Sequence, residues 1–247
     1  MSINKKIRIF AGPNGSGKST LFQEVKSYFS QIPFINADEL EIKLALTGYI
    51  DLQLYGITAT ENDLEKFKKT ADAKSLISKA NENKHAINLQ VIENCLVDKS
   101  NKTHSYEASF VAAFIRSMLL KTGKSFSYET VMSHSSKIKE LKVAQKNGYK
   151  TYLYFVCTDA PEINIERVKD RINKGGHKVN IDKIKSRYPQ TLKNLYPALK
   201  YCDRAFLFDN SGKEHELIAE MSNGRLQLKV NNPPNWFKSS VLKFLVS

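Results

Sequence analysis

Cysteine is sparse in this chain and shows no pattern: Cys95, Cys157 and Cys202 stand far apart, with no CxxC pair and no nearby histidine pair. That arrangement argues against a zinc cluster and a disulfide scaffold, and is expected of reduced, buried thiols. Apolar runs are short as well. None approaches the roughly 18 residues of a membrane-spanning helix, and the amino terminus passes within a few residues into a strand-like segment with no long apolar signal. A soluble, cytoplasmic chain with no membrane partner is therefore expected. Internal repeats and low-complexity tracts are missing too, which leaves room for one substantial core, a single domain over 1–247 carrying an insertion and a tail.

Acidic residues are few, 25 Asp/Glu against 38 Lys/Arg, giving a formal net charge of +13. The excess concentrates between Lys137 and Lys200, where fifteen Lys/Arg meet six Asp/Glu. Such a segment suits a nucleic-acid face, a lid that grips phosphate, or plain solvated helix surface. Its later tyrosines, Tyr188 and Tyr196, each precede a proline, which argues against a ladder of base-stacking rings.

Glycine is concentrated in one place. Ala11-Gly12-Pro13-Asn14-Gly15-Ser16-Gly17-Lys18-Ser19-Thr20 follows the apolar run Ile7-Arg8-Ile9-Phe10 and precedes the amphipathic stretch Leu21 to Phe29. Strand, glycine-rich loop and helix start arrive in the order a phosphate cradle needs. Gly12 and Gly17 let backbone N–H groups converge on phosphate oxygens, Lys18 supplies a charge to the β/γ-phosphates, and Ser19 offers its hydroxyl to Mg²⁺. The chain is expected to bind a nucleoside triphosphate. No LSGGQ-like signature and no NKxD motif accompany the loop, which argues against an ABC-type engine and a GTPase.

Five apolar runs predict a mostly parallel α/β sheet: Lys6 to Ala11, Ile32 to Ala37, Ser125 to Val131, Thr151 to Cys157 and Ala205 to Phe208. In such a sheet the chemistry gathers at the carboxyl ends of the strands. The span from about Glu41 to Glu107 is far longer than an ordinary crossover and is expected to be a helical insertion. Within it, Ala86 to Val97 is apolar enough for a helix or a strand, and periodicity does not decide between them. Beyond Asp209, Glu216 to Glu220 and Arg225 to Val230 flank Ser222-Asn223-Gly224, a hairpin signal in a tail over 212–247.

Asp38, in Phe34-Ile35-Asn36-Ala37-Asp38-Glu39-Leu40, is expected at the end of the second strand. It is the candidate catalytic base, since a loose phosphoryl transfer asks only that the hydroxyl be oriented and its proton accepted late. The alternative is a helix cap, with Glu41 three residues on. Glu129 closes the apolar run Ser125-Phe126-Ser127-Tyr128-Glu129, where a carboxylate is costly unless paired. It either forms a buried salt bridge or faces the cleft to hold substrate or a magnesium-bound water. Arg167, Arg171, Lys174, Gly175, Gly176, His177 and Arg187 form a basic segment around a Gly-Gly turn, suited to migrating phosphate charge, while His177 alone fits a structural hydrogen bond or a catalytic role.

Taken together, AGPNGSGKST, FINADEL, SFSYET, RVKDRINKGGH from Arg167 to His177, SRY at Ser186 to Tyr188 and FLFDNS at Phe206 to Ser211 resemble the zeta-toxin-like P-loop kinase family in its predicted-ATPase branch. The resemblance implies a P-loop kinase fold like that of nucleotide and gluconate kinases, ATP or GTP with Mg²⁺, and transfer of the γ-phosphate to a small-molecule hydroxyl. A UDP-amino sugar is the acceptor in known members, which poison cell-wall synthesis and often sit beside an antitoxin protein. It further implies Lys18 on the β/γ-phosphates, Asp38 as base, Glu129 on the substrate and metal side, and Arg171 and Arg187 on the transferring group. The competing readings are a polynucleotide kinase, whose basic segment would follow a nucleic-acid backbone, and a nucleotide-hydrolysing switch without a small-molecule acceptor.

Overall fold

The structure, a computed structural model, describes residues 5–29, 32–100, 103–175 and 179–245. In chain order the elements are β1 (Lys6–Ala11), α1 (Lys18–Val25), β2 (Phe34–Ile35), α2 (Ala37–Thr47), β3 (Tyr49–Asp51), α3 (Glu61–Lys68), α4 (Ala71–Glu82), β4 (Leu89–Ile92), β5 (Cys95–Asp98) and α5 (Ser105–Thr122). There follow β6 (Phe126–Thr130), α6 (Ser136–Lys146), β7 (Lys150–Cys157), α7 (Pro161–Asn173), α8 (Ile181–Leu199), β8 (Arg204–Asp209), β9 (Glu216–Ser222), β10 (Arg225–Leu228) and α9 (Asn235–Ser240). The main sheet has seven strands, not the five expected, in the order β10-β9-β8-β7-β1-β6-β2. The two additional strands are β9 and β10, the predicted tail hairpin. The chain divides into two compact units, residues 1–31 with 127–247, and residues 32–126.

In the first unit β1 lies parallel to β7 from Lys6↔Lys150 to Ala11↔Phe155, and β7 lies parallel to β8 from Tyr152↔Arg204 to Cys157↔Asp209. β7 is an almost unbroken apolar run, as a strand covered on both faces requires. Phe10 of β1 stacks on Tyr154 at 4.7 Å and meets Phe22 of α1 edge-on at 5.2 Å, so the helix after the glycine loop is pinned to the sheet by aromatic packing. α7 and α8 pack through Ile165, Val168 and Ile184. β9 turns antiparallel onto β8, and β10 onto β9, through Asn223 (φ 50°) and Gly224 (φ 77°), the two left-handed residues of a tight hairpin.

The second unit corrects the expectation of a purely helical insertion. Here β3, β5 and β4 form a three-stranded antiparallel sheet in that order, beside α2, α3, α4 and α5. Ala86 to Val97 resolves into the β4–β5 hairpin, turned by Glu93 (φ 47°) and Asn94 (φ 61°). Asn94 tolerates that conformation better than most residues, and its side chain ties the turn to a distant segment: it accepts from the Ala59 N–H at 2.9 Å and donates to the Ile57 carbonyl at 3.0 Å. The helical core gathers on Phe67, which meets Phe110 and Phe114 of α5 edge-on at 5.1 and 5.5 Å.

Candidate active site

β1 ends at Ala11, and the chain turns through 12–17 into α1. Gly12, at φ 146°, passes so close to β7 that a Cβ there would lie 2.0 Å from the Val156 carbonyl oxygen. Gly17 caps α1 in the left-handed region at φ 99°. Only glycine meets both demands. Pro13 accepts the Ser16 N–H at 3.3 Å and the Lys18 ammonium at 2.9 Å, which closes the loop on itself. Lys18 is 5 % exposed, while Ser19 and Thr20 open to solvent in the first turn of α1. The Ser16 Oγ and Asn14 Oδ1 atoms are buried without a partner among the described residues.

Glu129, from β6, joins the loop. Its Oε2 accepts the Ser19 hydroxyl at 2.7 Å and its Oε1 lies 3.6 Å from Lys18 Nζ. The carboxylate is therefore paired, as the salt-bridge reading of the sequence expects, and its partners are residues of the loop. Magnesium takes oxygen donors and keeps several waters, bound by one or two protein groups plus phosphate. The Ser19 hydroxyl and the Glu129 carboxylate form a donor set of that kind, so the residues present fit the ion.

Arg167 of α7 donates to the Gly212 carbonyl at 2.8 Å. Arg171 falls in the last turn of α7 and Arg187 inside α8, whose Thr191 hydroxyl returns to the Arg187 carbonyl at 2.9 Å. Gly176 and His177 lie outside the described residues. Asp38 belongs to the second unit and does not end a strand: β2 stops at Ile35, and Asp38 sits in the first turn of α2. The cap of that helix is Asn36, whose side chain accepts the Asp38 N–H at 2.9 Å. The capping duty therefore falls to a different residue, and the Asp38 carboxylate is not needed for it.

Two loop-holding residues carried no role in the sequence reading, although one of them lies in FLFDNS. Asn210 Nδ2 donates to the Ser16 carbonyl at 2.8 Å, and His215 Nε2 lies 3.1 Å from the Gly17 carbonyl, with Nδ1 3.3 Å from Glu24. A polar residue straight after an apolar parallel strand was the signal for Asn210. The nearby thiol takes no part. Cys157 is fully buried, and burial pushes its pKa up, as it does for the Tyr188 hydroxyl, which donates to the Thr158 carbonyl at 2.6 Å.

Comparison with known proteins gives this geometry a family. The model of the family described as Zeta toxin matches residues 64–213. A curated protein of Haemophilus influenzae, described as uncharacterized, is 36 % identical over 63 residues, which are 26 % of this chain and 45 % of that protein. Among solved structures, AvrRxo1-ORF1 in complex with AvrRxo1-ORF2 aligns at a TM-score of 0.58 and 13 % identity, covering 92 % of this chain and 62 % of that one. The PezAT toxin-antitoxin system of Streptococcus pneumoniae aligns at a TM-score of 0.50 and 14 % identity, covering 98 % of this chain and 80 % of that one. The chain thus spans less than half of the curated relative and under two thirds of the AvrRxo1 chain. At these identities the structural matches speak for the fold alone, an α/β arrangement. Because the family model covers more than half of its length, the chain belongs to the Zeta toxin family.

Proposed function

We propose that the chain is a kinase that takes ATP or GTP and transfers the γ-phosphate to a hydroxyl of a small molecule, with a UDP-amino sugar as the first acceptor class to try. The observation that carries this reading is the joining of Lys18 and Ser19 by one carboxylate, Glu129, at the mouth of a glycine loop. That is a phosphate cradle with its cation and its metal-side oxygens already assembled. AvrRxo1-ORF1 has also been solved with ATP, which supports a nucleotide in the cradle.

In this reading the loop amides and Lys18 bind the β- and γ-phosphates, and Glu129 orients the Ser19 hydroxyl. Ser19 and Glu129 would hold magnesium, which would supply neutralisation of charge on the transferring group. Asp38 orients the acceptor hydroxyl and takes its proton late, while Arg171 and Arg187 offer planar forks that match equatorial oxygens. PezAT is described as a toxin-antitoxin system and AvrRxo1-ORF1 is solved with AvrRxo1-ORF2, which supports an antitoxin protein as partner. Incubating the protein with γ-labelled ATP and a metabolite panel that includes UDP-amino sugars, followed by mass spectrometry, tests the reading. A labelled small molecule is expected. Label on the 5′-hydroxyl of an oligonucleotide, or release of phosphate alone, would replace it with a polynucleotide kinase or a hydrolysing switch.

A further inference from the structure

The family match spans residues 64–213; the phosphate loop precedes it, and of the two side chains that hold the loop's carbonyls Asn210 lies within the match and His215 beyond it. Asn210 and His215 fix the carbonyls of Ser16 and Gly17. Across a trans peptide the C=O and N–H point in opposite directions. A carbonyl fixed on one side therefore turns the next amide to the other. Asn210 orients the Gly17 N–H in this way and His215 the Lys18 N–H, the amides at the start of α1 that a phosphate would meet.

Asn210 is itself placed by its neighbours. Its N–H donates to the Cys157 carbonyl at 2.8 Å. Asp209 Oδ1 accepts the Ser211 hydroxyl at 3.0 Å and the indole Nε1–H of Trp236 at 2.7 Å, and its Oδ2 accepts the Ser211 N–H at 3.0 Å. Trp236 comes from α9, is 2 % exposed, and packs against Phe155 of β7 at 5.7 Å. Its backbone N–H reaches Asp159 Oδ1 at 3.4 Å, and the Asp159 N–H donates to Ser211 Oγ at 2.8 Å. The tail helix, the end of β8 and the loop thus form one connected set.

We propose that α9 is a strap that sets the phosphate loop, with Trp236, acting through Asp209 and Asn210, a positioning residue for the nucleotide phosphates. The inference rests on the loop being the triphosphate site. Titration calorimetry with Mg-ATP on the full chain tests it, using the wild type, Trp236→Phe, Asn210→Ala and the double variant. Phenylalanine keeps a ring against Phe155 while it removes the indole N–H together with part of the ring volume, so the melting temperature is read beside the affinity. Each single variant is expected to weaken ATP binding about tenfold. The double variant is expected to stay within about twofold of Asn210→Ala, because both act through one chain of contacts. In turnover assays the loss is expected in the KM for ATP, with kcat nearly kept.

Wild-type affinity in Trp236→Phe overturns the strap, as do losses that multiply to about a hundredfold in the double variant. A fall in melting temperature without a change in ATP affinity likewise assigns Trp236 to plain packing. Where Trp236→Phe does not fold, Asp209→Asn, which keeps a carbonyl acceptor for the indole but loses the charge, is expected to weaken ATP about threefold, and unchanged affinity there overturns the proposal. A wild type that binds no ATP fails the nucleotide reading itself, and the strap with it.

Discussion

Gly12→Ala confronts the loop with its own backbone. The added methyl would sit 2.0 Å from the Val156 carbonyl oxygen and 3.0 Å from its carbonyl carbon, at a φ of +146°. Both clashing atoms are backbone of β7, held in parallel ladders on either side, so no rotamer relieves them. Gly148, in the same unit, is the matched control: its φ is +75°, but a Cβ there meets nothing nearer than Lys5 Cε at 3.8 Å. Alanine at 148 carries the backbone penalty alone, about 1 kcal/mol. Alanine at 12 adds the displacement of a packed strand, a further 1–3 kcal/mol or roughly that order. At about 3 °C per kcal/mol for a unit of this size, the control is expected to melt ~3 °C lower and Gly12→Ala ~6–12 °C lower. Trp236, the one tryptophan of the chain and buried in this unit, reports the melting by its fluorescence. ATP binding is expected to survive in Gly148→Ala and to be lost in Gly12→Ala. Equal melting losses at the two positions would refute the close approach of loop and strand.

Lys18→Ala is expected to abolish phosphoryl transfer while lowering the melting temperature by about 4 °C or less, and near-normal turnover would remove the loop from the chemistry. Asp38→Asn is expected to cut turnover by orders of magnitude with ATP affinity unchanged, since a base acts on the acceptor; calorimetry and steady-state rates separate the two, and unaltered turnover leaves Asp38 out of the mechanism. Asp63 makes a pH prediction for the second unit. Hydrogen bonds from Lys121 at 2.9 Å, then from the Thr60 backbone and hydroxyl, lower its pKa to about 2. Because the folded value is depressed, the stabilisation is complete above the unfolded value near 3.8 and fades as pH falls towards 2. Asp63→Asn is therefore expected to cost about 1 kcal/mol at pH 7 and almost nothing near pH 2, as urea melts followed by circular dichroism at the two pH values would show.

Strands β1, β6, β7 and β8 of the main sheet were legible because burial leaves a nearly continuous apolar run: Lys6–Ala11 is found with the expected bounds, and β6, β7 and β8 within a residue or so. The glycine loop was legible because its backbone admits few other residues. The second unit was not. β2 was expected over Ile32 to Ala37 and is found only at Phe34–Ile35, but β3 is three residues long, too short for any period to register, and the β4–β5 hairpin turns on Glu93-Asn94 with no glycine to announce it. At the site, the charge of Glu129 inside an apolar run pointed to a partner, but its identity is a contact across 110 residues. Asp38 was misplaced by three residues beyond β2 because Asn36, not Asp38, begins the helix. Trp236 gave no local signal at all, since its meaning lies in the Asp209 carboxylate it meets.

The order in which a ribosome would deliver these parts follows from the contacts at Ser16 and Gly17. The loop emerges early, but the side chains that hold its carbonyls lie 194 and 198 residues downstream, and its strand pairs with β7, whose register begins at Lys150. Such distant closures are slow and come late in folding. A nascent chain that has exposed its glycine loop but not yet residue 210 lacks the side chains that aim the loop's amides. The setting of the loop thus waits for residues 210 and 215 to be made, and a product terminated before them is expected to leave the carbonyls of Ser16 and Gly17 without these partners.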